Sequence, residues 1–83
     1  MDYKSKIIDI FTKLYNIYSI KANQFRTRSY KKVIQQLKSH PNKISNIKDL
    51  TQLDITPKMR EKMEEIIKTG KLAQLEELQN KDI

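Results

Sequence analysis

From Ile7 to Leu78 the apolar residues of this chain return every three or four positions, and nowhere do they alternate with polar ones over the length of a strand. That rhythm constrains the fold more than any other feature. A three-to-four spacing lines one face of a helix, whereas a half-buried strand needs a period of two. Ile7, Ile8, Ile10, Phe11, Leu14, Tyr15, Ile17 and Tyr18 predict a helix over about residues 4–19 with a broad buried face. Asn23 to Phe25 breaks the pattern. Tyr30, Val33, Ile34 and Leu37 then mark a second helix from about Arg26 to Lys38. His40-Pro41-Asn42 ends it, because the residue before a proline avoids helical angles. Ser45 is the expected N-cap of a short third helix through Leu50, with Ile47, Leu50 and Leu53 turned inward. Thr56 can cap a fourth helix with Pro57 at its first position, where the missing N–H costs nothing. Met59, Met63, Ile66 and Ile67 form its core face, and Gly70 is placed to end it in a left-handed cap. Leu72, Leu75 and Leu78 describe a last short helix. The expected fold class is all-α: one domain over 1–83, a compact bundle of four to five short helices.

An 83-residue chain must use nearly every apolar residue it has to build a core, which argues against a deep enzyme pocket. Hydrophobic residues make up 37%, too many and too regularly placed for a disordered tail. Without cysteine, neither a disulfide framework nor a thiolate zinc site can add stability. No apolar stretch approaches the ~18 residues of a membrane span, and MDYKSKIIDIF has acids and lysines within its apolar pattern. The expectation is an intracellular protein, nuclear or cytoplasmic wherever its partner lies, neither secreted nor membrane-bound.

The charge is distributed unevenly. No acidic residue stands between Asp9 and Asp49, while Lys13, Lys21, Arg26, Arg28, Lys31, Lys32, Lys38, Lys43 and Lys48 fall in that interval. From Ile47 onward acids and bases nearly cancel, so the positive field belongs to the first half. Such a one-sign surface attracts polyanions, and nucleic acid is the favoured partner over a lysine-rich coat kept for solubility.

The chemistry available is limited. One histidine and no cysteine exclude an ordinary transition-metal cluster, and His40 beside Pro41 reads as a loop residue. There is no glycine-rich phosphate loop, and the hydroxyl residues have no histidine partner at a telling spacing. Lysine remains. Lys58 and Lys62 stand four residues apart on one helix face, where like charges repel by ~0.2–0.5 kcal/mol. A lysine whose pKa is lowered by nearby cations or desolvation can attack a carbonyl carbon and form a Schiff base. Glu61 and Glu65 could instead pair with Lys58 and Lys62 at i,i+3 on an ordinary solvated face, and periodicity alone favours that reading.

The segments FRTRSYKKVIQQLKSHPNKI and PKMREKMEEIIKTGKLAQLEEL together resemble the N-terminal helical domain of family X DNA polymerases. The resemblance spans about residues 5–80. It is carried by Phe25-Arg26, Tyr30, the MREK run Met59 to Lys62, Thr69-Gly70-Lys71-Leu72 and Leu75-Glu76, in order and with family-like spacing through Pro41.

The resemblance implies a module that binds the 5′-phosphate side of gapped or nicked DNA and removes a 5′-deoxyribose phosphate by Schiff-base β-elimination, without metal or other cofactor. Lys62 matches the family's nucleophile, and Tyr30 a tyrosine beside it. Tyr30 could equally be a core residue with Val33 and Ile34. Lys58 matches a position that holds the 5′-phosphate, and its charge is expected to keep Lys62 partly deprotonated. Arg26 matches another phosphate contact. Phe25 falls where the family stacks a residue on a base, with a buried staple between the first two helices as the competing role. Lys31 and Lys71 complete the implied DNA-binding set.

Two departures stand out. The family's Gly-x-Gly hairpin before the lysine helix is replaced by LDITPK, so the helix-hairpin-helix is degenerate; the N–H groups of Lys58 and Met59 could still receive an anion. Gln74 occupies a position where relatives often carry a basic residue. Polymerase chemistry needs later domains that 83 residues do not hold. The expectation is therefore a monomeric N-terminal domain of a longer chain, with Met1 as a true start and Lys81-Asp82-Ile83 where a linker begins. The alternative is a non-catalytic DNA-binding domain of the same fold.

Overall fold

The computed structural model describes residues 2–81 and is all-helical among them. The expected linker start at Asp82 and Ile83 lies outside the described residues. The first helix, α1 (Lys4–Ile20), buries Ile7, Ile10, Phe11, Leu14 and Tyr18, the stripe its spacing predicts. Its start is not capped by its own N-cap residue. Instead the Asp2 carboxylate accepts from the N–H groups of Lys4 (2.9 Å) and Ile44 (3.1 Å), and the Tyr3 N–H donates to the Ile44 carbonyl at 2.7 Å. These bonds hold the Asp2 carboxyl below the usual carboxylate range, the Lys4 bond contributing most. They also bring Ile44, a loop residue outside any helical stripe, fully into the core.

The break after α1 falls at residues 21–23, earlier than expected. Ala22 adopts a left-handed φ of 58°, a conformation that disfavours a Cβ, and Asn23 caps the next helix by accepting from the Arg26 N–H. Helix α2 (Gln24–Ser39) thus includes Phe25 in its first turn. It packs along α1 through Tyr30, whose ring meets Phe11 edge-on at 5.4 Å and stacks on Tyr18 at 5.6 Å. His40 is extended before Pro41, as the proline requires.

The short third element is a 3-10 helix, Ile47–Gln52, and its N-cap is Asn46 rather than Ser45. Asn46 and Asp49 form a reciprocal capping box, and Asp49 also accepts from the Ser45 N–H, so Ser45 is held as a donor outside the helix. Six residues offer too few i→i+4 bonds to favour an α-helix over the tighter form. Helix α3 (Pro57–Thr69) starts with Thr56 accepting from the Met59 N–H and ends at Gly70 with φ 79°. Met63 and Ile66 are buried, whereas Met59 and Ile67 are only half-buried at the core's margin. Helix α4 (Ala73–Lys81) is tied to α3 by Glu65, whose carboxylate accepts from the Ala73 N–H at 2.6 Å. The expected last helix therefore begins after Leu72, which is buried in the connection, with Leu75 buried below it.

Candidate functional site

Lys62 stands at mid-length on α3, on the side opposite Met63 and Ile66, and is half-buried where all four helices converge. Its ammonium donates to the Gln74 side-chain oxygen of α4 at 2.6 Å. The Gln74 amide nitrogen in turn donates to the Tyr18 hydroxyl of α1 at 2.7 Å and, more distantly, to the Tyr30 hydroxyl of α2 at 3.4 Å. Arg26 closes the cluster by donating to the same Tyr18 oxygen at 3.4 Å. Each member comes from a different helix position that a core stripe fixes: Tyr18 from that of α1, Tyr30 from that of α2, and Gln74 beside buried Leu75.

The electrostatics follow from this packing. Burial is the largest cause holding Lys62 below the ordinary lysine value, and the Arg26 guanidinium is the second. Glu65 and Glu61 oppose the shift, and Lys58 contributes less than Arg26. Lys58 thus acts on its neighbour in the expected direction, but behind burial and Arg26. A lysine one turn away on an exposed face is well screened, while Arg26 approaches across a helix interface. The expected i,i+3 pairs with Glu61 and Glu65 do not form among the described residues; Glu65 is spent on the α4 N-terminus. The Tyr30 ring lies in the core, as its stripe with Val33 and Ile34 implied, and its hydroxyl reaches the Lys62 cluster through Gln74. Burial, and then Tyr18, push its hydroxyl above the usual tyrosine value, so it stays protonated.

Two shallow depressions meet at Lys58 and Lys62. One, of ≈ 350 Å³, is bordered by Glu61, Glu65, Leu72 and Gln74. The other, of ≈ 480 Å³, has an apolar floor of Val33, Ile55 and Met59 and a cationic rim of Arg26, Lys32 and Lys58. Phe25 lies at its edge with 83% of its surface exposed, which overturns the buried-staple alternative. Lys32, rather than Lys31, is the α2 lysine lining this groove. Lys71 is exposed and faces Glu76 at 3.9 Å, apart from both depressions.

The hairpin that replaces Gly-x-Gly is held in an unexpected way. The Gln36 side chain of α2 accepts from the Asp54 N–H and donates to the Asp54 carbonyl at 3.0 Å, taking both backbone groups of that residue. The Met59 N–H is taken by Thr56, so it is not free for an anion as the sequence suggested. Tyr18 and Gln74 are the site residues that sequence reasoning missed. Tyr18 reads as one more apolar position of α1, and Gln74 only as a departure from a basic residue.

Residues 2–72 match a family model described as a helix-hairpin-helix domain. The chain belongs to this family. The match takes in the 3-10 helix, the turn Leu53 to Thr56 and α3. Over 76 residues, 90% of the chain, it is 38% identical to DNA polymerase lambda of Arabidopsis thaliana. Both matches bear out the resemblance to the helical domain of family X polymerases. The chain spans 14% of that relative's length. No solved structure matches it.

Proposed function

We propose that this helix-hairpin-helix domain binds the 5′-phosphate side of gapped DNA and acts as a 5′-deoxyribose phosphate lyase, as the N-terminal part of a longer repair polymerase. The observation that carries this reading is Lys62, a half-buried amine whose proton is weakened by burial and by Arg26, at the meeting of two open depressions. Arg26 and Lys58 rim the groove at which a terminal phosphate would arrive, and an exposed Phe25 offers a ring for base stacking. Lys31 and Lys71, away from the grooves, would add general attraction to the backbone.

In this reaction the Lys62 lone pair adds to C1′ of the ring-opened sugar, and loss of water leaves a cationic imine. The imine acidifies C2′–H. As water takes that proton, the C2′–H electron pair forms the C2′–C3′ double bond, and the C3′–O bond breaks to release the DNA as a 5′-phosphate. Water then frees Lys62. Tyr30, protonated and close to the amine's partner Gln74, would orient the cluster.

Borohydride trapping on incised abasic DNA tests the assignment. The adduct should map to Lys62, and Lys62→Ala should abolish most of it while alanine preserves the helix. Label on Lys58, or spread over many lysines with Lys62→Ala unimpaired, excludes Lys62 as nucleophile. The second reading, DNA binding without chemistry, is favoured by one observation: the Gln36 clamp takes the Asp54 N–H, a donor that an exposed backbone phosphate site in the hairpin would use.

A further inference from the structure

The Lys62 amine is held by a side chain that is itself held at its other end by two tyrosine hydroxyls. Gln74 has two N–H hydrogens and one acceptor oxygen, and its surroundings decide which end faces which neighbour. Its nitrogen meets two hydroxyls, Tyr18 at 2.7 Å and Tyr30 at 3.4 Å, and its oxygen meets Lys62 at 2.6 Å. The reverse orientation would set an NH2 group against the lysine donor, so the lysine end decides it; a hydroxyl, which both donates and accepts, holds the other end either way. Tyr18 is pinned in turn: its ring stacks on Tyr30 with 5° between the planes, and Arg26 lies 5.3 Å from its ring centroid.

We propose that Gln74, held in place by the Tyr18 hydroxyl, is a positioning residue that anchors the Lys62 amine so that its lone pair faces open groove. The proposal rests on Lys62 as the lyase nucleophile. A neutral amine that gives one N–H to Gln74 keeps its lone pair in one of the two remaining tetrahedral directions, both away from that bond. Without the anchor, a flexible lysine side chain samples many rotamers, few of which aim at C1′. Tyr18 never touches the amine and acts only through the amide.

The titration of Lys62 reports this bond directly, because an acceptor oxygen favours the ammonium over the amine. The groups that face Lys62 are Arg26 and Tyr30 from α2, Tyr18 from α1, Gln74 from α4, and Lys58, Glu61 and Glu65 from its own helix. Gln74 is the sole acceptor in hydrogen-bond distance of Nζ among the described residues.

Two readouts on the same variants test the idea: the NMR titration midpoint of the Lys62 ε-carbon, and the pH profile of borohydride trapping on incised abasic DNA. Gln74→Leu should lower the midpoint, and Gln74→Glu, of nearly the same shape, should raise it. Tyr18→Phe keeps the ring stack and should shift the midpoint in the same direction as Gln74→Leu, by less. On the high-pH plateau, where the amine is free in every variant, Gln74→Leu should trap about three- to tenfold more slowly, the size of a lost hydrogen bond. Circular dichroism confirms that each variant keeps its helices. Unchanged midpoints in Gln74→Leu and Gln74→Glu would overturn the anchor whether or not the domain is a lyase. Midpoints that move as expected with an undiminished plateau would overturn positioning alone. A wild-type chain whose adduct does not map to Lys62 removes the lyase reading, and the positioning role with it.

Discussion

The guanidinium of Arg26 lies 5.3 Å from the centroid of the Tyr18 ring, fixing an exposed cation next to the half-buried Lys62. A cation over a ring at an exposed site gains about 0.5–1 kcal/mol, enough to bias a long side chain toward one place. Arg26 therefore acts on its neighbour while remaining exposed to solvent.

Arg26→Ala should accordingly shift the pH dependence of Lys62 trapping. A cation nearby disfavours the ammonium, so its loss raises the Lys62 midpoint toward the ordinary lysine value. The trapping curve should move to higher pH, and the rate near neutrality should fall. A curve that stays in place shows that burial alone sets the lysine.

Lys58→Ala separates phosphate binding from activation. Lys58 is an exposed rim residue and a lesser influence on Lys62 than Arg26. The variant should lose roughly 1.5–3 kcal/mol of the preference for a 5′-phosphate over a 5′-hydroxyl in gapped DNA, a charge-assisted bond's contribution. Its trapping curve should shift less than that of Arg26→Ala. Wild-type affinity should fall steeply with salt, and equal loss by the variant on intact duplex would point to general attraction instead.

The sequence carried the helices well where core stripes are long. α1, α2 and α3 lie within a few residues of their expected bounds, and Gly70 terminates α3 as its position implied. The 3-10 helix departed from expectation because six residues give periodicity too little length to distinguish helix types. Lys62, Arg26 and Tyr30 were legible as residue types in a familiar order. The Gln74 bridge was not, since it depends on how α4 docks against α1 and α2, and a glutamine has no spacing signature.

Gly70→Ala should destabilise the domain. At φ 79° a Cβ costs about 1–2 kcal/mol, and the added methyl would meet the Lys6 Nζ at 3.0 Å, a flexible end that can move aside. Chemical denaturation should therefore show the backbone cost alone, and Lys6→Ala should rescue little of it. Substantial rescue would assign the loss to the contact.

Asp2→Ala should lower the melting temperature in a pH-dependent way. The Asp2 carboxyl is held below its usual value by the Lys4 and Ile44 N–H groups, so its folded pKa is depressed. Its stabilising contribution is present above the ordinary carboxylate pKa and lost as pH falls through the folded one. The gap between wild type and variant should be full at neutral pH and close in strong acid. A constant gap would mean that shape, not charge, holds the strap on Ile44.

The Gln36 clamp gives the hairpin a mechanical address. Its tether on α2 stands ten residues from Arg26, about 15 Å along the same helical rod. Force on the turn at Asp54 thus loads the very helix that carries the arginine and Tyr30. In a hairpin built on glycine the strain of contact would end in the loop; here the rod shares it, and the groove and the lysine cluster are braced as one frame.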